Sequence, residues 1–238
     1  MLRLLHGWGL NSAVFAGFGQ ALVHPTQALD LPGHGHAPYR PGDLDPERVA
    51  QTLARRYPEP GAWLGWSLGG LVALVLAARY PESVTHLILV GATPCFVQAP
   101  DWPHGTDRAV LAGFADQLEQ DYEATLRRFL TLQAGVGERA QVRRLIADLK
   151  TGGGADGAAL AEGLAILAAY DLRGLLADIQ VPTLFIHGSD DRVVPPGAAR
   201  WSADRMPHAR LQLLGRGHAP FLSDEARCAA VIKDFLHE

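Results

Sequence analysis

The sequence has few cysteines and no long apolar run. Its 238 residues include two cysteines, Cys95 and Cys228, which lie far apart and belong to no metal-binding or redox motif. We expect both to be free thiols, as in proteins of a reducing compartment. No uninterrupted apolar stretch approaches the ~20 residues that cross a bilayer as a helix. The start, MLRLLHGWG, also lacks the apolar segment and cleavage site of a signal peptide. These absences predict a cytoplasmic protein.

The chain also lacks a large excess of either charge. Its net charge is −4 at pH 7, and no block of like charges forms a tail. We therefore expect neither a nucleic acid nor a membrane surface as a partner. With 48% hydrophobic residues, the chain has enough apolar side chains to bury the core of one domain, and we expect a monomer.

Short apolar segments alternate with helical segments along most of the chain. The apolar segments are continuous, as in strands of a parallel sheet that is covered on both faces. The clearest helical segments are residues 46–57 and 68–79. The predicted strands are residues 2–5, 27–29, 62–65, 87–90, 183–186 and 211–214. This alternation predicts an α/β fold in which helices flank a mostly parallel sheet.

The pattern changes between residues 100 and 170. Strand-like segments stop, and amphipathic helices follow one another; one of them carries Leu111, Phe114 and Leu118 on a single face. We interpret residues 100–170 as a helical cap insertion over the sheet. Residues 1–99 and 171–238 then form the core that carries it.

A serine stands at a strand-to-helix junction in the sequence GWSLGG, residues 65–70. A strand that turns abruptly into a helix strains the backbone at the turn, and the residues two before and two after it must be small. Gly65 and Gly69 fill those places around Ser67. This nucleophile-elbow pattern raises the serine hydroxyl above the sheet and places the Leu68 N–H at a helix N-terminus, which suits an oxyanion. On this motif alone, a serine in an ordinary glycine turn remains an alternative.

Candidate partners for Ser67 follow two later strands. The turn in LFIHGSDDRVVP carries Asp190 and Asp191, and LLGRGHAPFL places His218 in a glycine-rich loop. A serine nucleophile needs a base, and the base needs an orienting acid; here the expected chain order is serine, acid, histidine. Both loops follow strands on the side where open α/β sheets build their sites. We predict the triad Ser67, Asp191 and His218, because Asp190 is suited to forming the turn itself.

The sequence HGWG, directly after the first strand, is the candidate for an oxyanion hole. Its glycines let the backbone come close to a substrate carbonyl. We predict the backbone N–H groups of Trp8 and Leu68 as the donors, with His6 holding the loop by hydrogen bonding. Such chemistry needs neither a metal nor an organic cofactor. The pair His34 and His36 in PGHGHAP lacks further ligands, and we interpret it as structural.

These motifs together resemble a known family. HGWGLN, DLPGHG, WLGWSLGGLVA, GSDDRVVP and GHAPF are similar to motifs of the α/β-hydrolase superfamily. TPCF, LAGF, RRFLTLQ and YDLR extend the resemblance, through the insertion, to carboxylesterases that hydrolyse pimeloyl-acyl carrier protein methyl ester in biotin synthesis. The resemblance implies the triad and oxyanion donors above, and it implies that residues 129–133 line the substrate pocket. Trp8 and Trp66 are further candidates for the pocket, although Trp66 is equally compatible with ordinary core. The pocket residues are Trp8, Trp66, Phe129, Leu130, Thr131, Leu132 and Gln133.

The chain departs from this family at its start. Such hydrolases begin with a strand hairpin before the HG turn, whereas only residues 1–5 precede that turn here. We therefore expect either that the sheet lacks one or two edge strands or that the start site is misassigned. The predicted triad is unaffected.

Basic residues are concentrated in one part of the predicted cap. Residues 101–123 are mostly acidic, whereas the next stretch carries five arginines. A local basic face on an acidic protein suits docking of an anionic carrier protein; the alternative is a solvated helix face. The five are Arg127, Arg128, Arg139, Arg143 and Arg144.

The sequence therefore predicts a serine carboxylesterase that releases methanol from pimeloyl-acyl carrier protein methyl ester by two-step acyl transfer. A carboxylesterase or lactonase that acts on small free esters is the first alternative. A noncatalytic hydrolase-like protein that binds a ligand is the second. The joint presence of Ser67, Asp191, His218 and both glycine-rich turns disfavours it.

Overall fold

A computed structural model describes residues 1–134 and 139–238 of the chain. Six strands in these ranges form one sheet in the order β2-β1-β3-β4-β5-β6, and every neighbouring pair is parallel. The strands are β1 (Leu2–Leu5), β2 (Thr26–Leu29), β3 (Gly61–Trp66), β4 (Val84–Val90), β5 (Thr183–His187) and β6 (Ala209–Leu213). The sheet confirms the predicted α/β architecture, and β2 and β6 form its edges.

Ten α-helices accompany the sheet in the described residues. Three short 3₁₀ segments, Ser12–Phe15, Pro81–Ser83 and Arg173–Asp178, complete the connections. The helices are α1 (Ala16–Ala21), α2 (Pro46–Arg56), α3 (Leu68–Arg79), α4 (Arg108–Gln120), α5 (Tyr122–Gln133), α6 (Arg139–Thr151), α7 (Gly157–Ala169), α8 (Pro196–Ala203), α9 (Pro220–Ser223) and α10 (Glu225–Leu236). None of the helices in this part of the chain is long and apolar enough to cross a membrane.

The inner strands are buried on both faces, which explains their continuous apolar sequences. All residues of β1, β3 and β5 are buried. Helix α3 is likewise buried from Leu68 to Ala77, and it ends at Arg79 because Pro81 keeps the preceding residue, Tyr80, out of the helical conformation. Cys95 and Cys228 are buried and unpaired, as predicted.

The order of the strands determines where a site can form. Strand β1 lies between β2 and β3, so the connections leave β1 and β3 in opposite directions across the sheet. Open α/β sheets bind ligands in the crevice at such a reversal, beyond the carboxyl ends of the strands. Leu5, the last residue of β1, pairs with Gly65 of β3. The HGWG turn and Ser67 therefore emerge side by side at this crevice.

Four helices, α4 to α7, lie between β4 and β5 in the described residues. Aspartates begin three of them: Asp107, Asp121 and Asp156 accept backbone N–H bonds from the first turns of α4, α5 and α7. Glu162 of α7 joins this layer to the core, since it accepts hydrogen bonds from the Tyr39 hydroxyl at 2.6 Å and from the N–H groups of Gly42 and Leu44. We propose that residues 100–170 act as a cap held in place by such contacts.

The predicted boundaries agree best for β1 and α3, which begin and end where the sequence placed them. Strand β4 begins at Val84, three residues before the predicted start, because Val84 pairs with Gly61 and His86 with Ala62, across an irregularity that skips Thr85. Strand β6 begins at Ala209 instead of residue 211. Its residues are half-buried or exposed at the sheet edge, so their apolar content is a weak signal.

Candidate active site

Ser67 occupies a strained turn between β3 and α3. Its φ is +54° and its ψ is −116°, a region that non-glycine residues adopt only when the surroundings enforce it. The neighbouring glycines are required by close backbone contacts. A Cβ on Gly69 would lie 2.7 Å from the His6 carbonyl oxygen, and one on Gly65 would lie 2.7 Å from the carbonyl carbon of Gly69. The strain and the two glycines are the geometry that the elbow motif predicts.

His218 and Asp191 form a buried pair. His218 Nδ1 lies 2.8 Å from Asp191 Oδ2, and both side chains are 0% exposed. Burial opposes ionisation of Asp191, but the facing imidazoles of His218 and His187 outweigh it and hold the pKa of the carboxyl well below its usual range. Asp191 is therefore a carboxylate that accepts a hydrogen bond from the Nδ1–H of His218.

Asp190 takes a different place from its neighbour. Its carboxylate accepts the Gly217 N–H at 2.7 Å and the Arg216 Nε–H at 3.1 Å. These bonds tie the turn after β5 to the loop that carries His218. Of the two consecutive aspartates, the structure thus brings Asp191 to His218 and uses Asp190 to hold the loop beside it.

Residues adjacent to Ser67 in the structure bind the loop of His218. The Trp66 indole donates to the His218 carbonyl oxygen at 2.8 Å, and the Ser67 N–H donates to the Val90 carbonyl at 3.1 Å. Gly91, the next residue after Val90, packs on His218; a Cβ there would lie 3.0 Å from Nδ1. Ser67 Oγ and His218 Nε2 are buried and have no hydrogen-bond partner among the described residues. Both reactive atoms are therefore free of hydrogen bonds to the described residues.

The HGWG turn packs directly against Ser67. A Cβ on Gly7 would lie 3.1 Å from the Ser67 Cβ, so the backbone at Gly7 and Trp8 runs alongside the serine. Leu68 begins helix α3, and N–H groups in the first turn of a helix have no partner within the helix. This arrangement puts the predicted oxyanion donors, the N–H groups of Trp8 and Leu68, on elements that border Ser67.

Two buried histidines hold the HGWG turn in shape. His6 Nε2 accepts the Leu31 N–H at 3.0 Å, while His34 Nε2 accepts the Gly9 N–H at 3.4 Å. Burial lowers the pKa of His6 to about 3, and the neighbouring His34 adds to the effect. His34 thus belongs to the loop scaffold, and His36 is exposed apart from it. Among residues 1–134 and 139–238, no cluster of three or more potential ligands is arranged to hold a metal.

Apolar side chains of the cap cover the turn. The Trp8 indole donates to the Leu160 carbonyl of α7 at 2.9 Å, and its ring meets the Phe129 ring edge-on at 4.8 Å. Phe129 also contacts Phe114 of α4, with 5.9 Å between ring centroids. Helices α4, α5 and α7 therefore meet above Trp8, and they form an apolar roof beside the candidate site.

The remaining predicted pocket residues fall into different environments. Leu130 and Gln133 are buried, and Leu132 packs partly buried against the core. The Gln133 carbonyl accepts the His218 N–H at 2.7 Å. Thr131 does not join this group, because it is exposed and donates its hydroxyl to the Arg127 carbonyl of its own helix.

Trp66 lies below His218 in the core. Its ring centroid is 5.9 Å from that of His218 and 5.1 Å from that of Phe221, and the side chain is fully buried. The tryptophan supports the loop of His218; a direct contact between Trp66 and substrate stays a prediction.

The five arginines divide into two groups. Arg144 is half-buried and is bound by Glu225 of α10 at 3.3 Å and by Asp148 at 3.9 Å, so the structure places it in the contact between α6 and the core. It is therefore removed from the predicted docking face. The other four are exposed on α5 and α6: Arg127, Arg128, Arg139 and Arg143.

The sequence analysis missed one residue at the site, His187. This histidine ends β5, and its Nε2 lies 3.1 Å from Asp191 Oδ2. Its spacing from Asp191, four residues across a tight turn that opens with Gly188, was the available signal. The signal is weak because a histidine at a strand end has many other uses.

Comparisons with known proteins identify the family of the chain. A family model described as the alpha/beta hydrolase fold matches residues 2–225. A "Pimeloyl-[acyl-carrier protein] methyl ester esterase" of Aromatoleum aromaticum is 42% identical over an alignment of 245 positions, which covers 99% of this chain and 97% of the relative. The esterase of the same name from Chromobacterium violaceum is 40% identical and is matched over 92% of its length by 98% of this chain.

Solved structures show the same fold at lower identity. An esterase from Exiguobacterium antarcticum superposes with a TM-score of 0.90 at 23% identity, covering 100% of this chain and 91% of the other. An enol-lactonase from Burkholderia xenovorans superposes with a TM-score of 0.86 at 21% identity over the same shares of the two chains. The chain therefore belongs to the α/β-hydrolase family and, within it, groups with the curated esterases of Aromatoleum and Chromobacterium.

Proposed function

We propose that this protein is a serine carboxylesterase that hydrolyses the methyl ester of pimeloyl-acyl carrier protein and thereby serves biotin precursor synthesis. The names of its relatives, at about 40% identity over nearly the whole chain, support the substrate. One observation carries the chemistry: His218 is bonded through Nδ1 to the buried Asp191 at 2.8 Å, while its Nε2 and Ser67 Oγ stay unbonded nearby.

The proposed mechanism is acyl transfer through Ser67. Because Asp191 accepts the Nδ1–H of His218, the lone pair of the imidazole is on Nε2, where it removes the Ser67 proton as Oγ attacks the ester carbonyl. The protonated His218 then gives this proton to the departing methanol. Water, deprotonated by the same imidazole, attacks the acyl-enzyme and releases the carboxylic acid and free Ser67.

The tetrahedral intermediates need donors for their oxyanion. We assign the backbone N–H groups of Trp8 and Leu68, because the HGWG turn packs on Ser67 and Leu68 begins a buried helix. One such donor contributes about 10²- to 10³-fold to the rate in other serine hydrolases. The hydrogen bonds of His6 and His34 to their loops fix the turn before substrate arrives, so the donors do not reorganise during the reaction.

The apolar side chains above the site are suited to binding the acyl chain of a substrate. Phe129 and Leu130 of α5 are both buried, and Phe129 meets the Trp8 ring edge-on, so this part of α5 offers apolar side chains to an alkyl chain. We propose that these residues and Gln133 line the pocket, as the resemblance implies. Thr131 is left out because its side chain points to solvent.

The exposed arginines of α5 and α6 suit an acidic carrier protein. Arg127, Arg128, Arg139 and Arg143 lie on two consecutive helices, and the partner would contribute the opposite charge. Arg127 faces Glu123 at 3.4 Å in an exposed pair, a contact of low energy that a partner can replace. We further propose a monomer in the cytoplasm, which agrees with the two buried free thiols.

The experiment compares the carrier-bound methyl ester with a short free ester. The first variant reverses the four exposed cap arginines to glutamate. A matched control reverses four exposed arginines of the core, Arg40, Arg48, Arg55 and Arg56. We expect the cap variant to lose kcat/KM on the carrier substrate by tenfold or more, to lose it less at high salt, and to keep its activity on the free ester.

Two results would count against the proposal. If both reversals reduce the carrier reaction equally, the effect is one of net charge and the docking face is wrong. If the native protein hydrolyses the free ester and ignores the carrier substrate, the chain is a general esterase.

A further inference from the structure

One carboxylate oxygen at the candidate site faces two imidazoles. Asp191 Oδ2 lies 2.8 Å from His218 Nδ1 and 3.1 Å from His187 Nε2, and all three side chains are 0% exposed. The mechanism above uses His218 and Asp191 but gives His187 no part. A buried imidazole in contact with the proposed catalytic acid therefore needs its own account.

The surroundings of His187 decide where its proton lies. Nε2 is 2.9 Å from the Val194 carbonyl oxygen as well as 3.1 Å from Asp191 Oδ2. Both neighbours are acceptors, so Nε2 must carry a hydrogen. Nδ1 is buried and has no hydrogen-bond partner among the described residues. A proton on Nδ1 would therefore be a buried, unpaired donor, which is unfavourable. His187 is thus an Nε2–H tautomer that points its only ring donor at the Val194 carbonyl and the Asp191 carboxylate.

The loop after β5 is folded around that carboxylate. Asp191 Oδ1 accepts the N–H groups of Val193 at 2.8 Å and Val194 at 3.0 Å. His187 binds the carbonyl of the same Val194, so it fastens the far end of the loop to the last residue of β5. One carboxylate oxygen is therefore held by two backbone donors, and the other is held between two imidazoles.

We propose that His187 is a positioning residue for the catalytic acid. Its Nε2–H fixes Asp191 Oδ2 and the Val194 carbonyl, and this prevents the carboxylate from turning away from His218 Nδ1. His187 acts through Asp191 and touches neither substrate nor Ser67, so it affects the chemical step and not substrate binding. The inference rests on the proposed roles of Ser67, His218 and Asp191.

The test uses two replacements of equal length. His187→Gln keeps an N–H donor that reaches the same two oxygens, whereas His187→Met has no donor. Thr183→Val is the matched control, because Thr183 is also buried in β5 and also donates to a backbone carbonyl, at 3.0 Å from Val181, at the opposite end of the strand. Each variant is assayed for kcat and KM on a short methyl ester, and its folding is checked by circular dichroism and thermal unfolding.

We expect His187→Met to lower kcat by about tenfold or more, the size of effect that misplacement of a catalytic group produces. KM should change less than about twofold, since the substrate contacts are intact. His187→Gln should recover most of the lost kcat, and Thr183→Val should keep the native kcat. If the methionine variant does not fold, His187→Phe, which is closer in shape to histidine, takes its place in the comparison with glutamine.

A double-mutant cycle with Asp191→Asn separates positioning from general stability. In the Asp191→Asn background, His187→Met should lower kcat by less than about twofold, because the carboxylate that His187 positions is gone. The inference is overturned if the methionine variant keeps native kcat. It is also overturned if His187→Met lowers kcat by the same factor in the native protein and in Asp191→Asn. If Ser67→Ala or Asp191→Asn itself keeps native activity, the proposed function fails instead.

Discussion

The carbonyl oxygen of Gln133, the last residue of helix α5, accepts the backbone N–H of His218 at 2.7 Å. The same helix places Phe129 on Trp8 and exposes Arg127 and Arg128. One rigid element thus contacts the proposed base and the apolar roof while it exposes two of the arginines that we assign to the carrier protein. Helix α5 therefore joins the proposed docking arginines to the loop of the proposed base by a direct hydrogen bond.

This relationship makes the end of α5 sensitive to charge. Gln133 Oε1 is buried and has no partner among the residues described, so Gln133→Glu would place a carboxylate where it is neither solvated nor paired. We expect a lower melting temperature and a severalfold lower kcat, measured by thermal unfolding and by hydrolysis of a short ester. Gln117→Glu is the control. Gln117 is exposed on α4 and accepts a hydrogen bond from Arg128 at 2.7 Å, so a charge there should be tolerated. Equal behaviour of the two variants would refute the role given to Gln133.

The buried His6 predicts how stability depends on pH. Its pKa is lowered in the folded protein to about 3, whereas an unfolded histidine titrates near 6.5. Between these values the unfolded chain binds the proton and the folded chain does not. The free energy of unfolding should therefore fall as pH drops from about 6.5 towards 3, by at most about 1.4 kcal/mol per pH unit from this residue.

Replacing His6 by asparagine removes this titration. Urea unfolding at several pH values should give a shallower pH dependence for His6→Asn than for the native protein over this window. Parallel curves would show that His6 is not the group responsible. Activity provides a second check, because the shorter asparagine does not place an acceptor where His6 Nε2 accepts the Leu31 N–H, and the oxyanion turn should be distorted.

Replacing glycine by alanine should have opposite effects on stability at Gly69, in the elbow, and at Gly113, in helix α4. Gly69→Ala would drive a Cβ into the Leu5 and His6 carbonyls, so we expect it to destabilise the fold by about 1–3 kcal/mol and to abolish most activity. Gly113→Ala in α4 meets no atom within 4 Å and should stabilise the protein by about 1 kcal/mol, because alanine favours a helix interior. Chemical denaturation measures both. A neutral Gly69→Ala would mean that the turn at Ser67 is not under the constraint described.

The elements that sequence analysis predicted well are those whose cause is local. The turn at Ser67 follows from the small residues on either side of it, and strand β1 follows from its own apolar run. The positions of Ser67, Asp191 and His218 after apolar segments were enough to place them beyond the carboxyl ends of three strands, β3, β5 and β6. These inferences need no knowledge of how distant segments pack.

The features that sequence analysis missed depend on distant contacts. In the sequence nothing distinguishes Arg144 from the other four arginines of the predicted docking face, but in the structure it forms an ion pair with Glu225 of α10, which is distant along the chain. Thr131 lies within an apolar stretch, yet the turn of α5 points it to solvent. His187 reaches Asp191 only because the loop after β5 closes on itself. A single sequence carries little signal for any of these contacts.

The most direct test of the account is the release of methanol from pimeloyl-acyl carrier protein methyl ester by the native protein and by Ser67→Ala. Ser202→Ala is the matched control, since Ser202 is also buried but bonds within α8 at 2.8 Å. We predict that Ser67→Ala loses at least about 10³-fold in kcat while remaining folded, and that Ser202→Ala keeps native kcat. Native rates of methanol release by folded Ser67→Ala would contradict the assignment of Ser67 as the nucleophile.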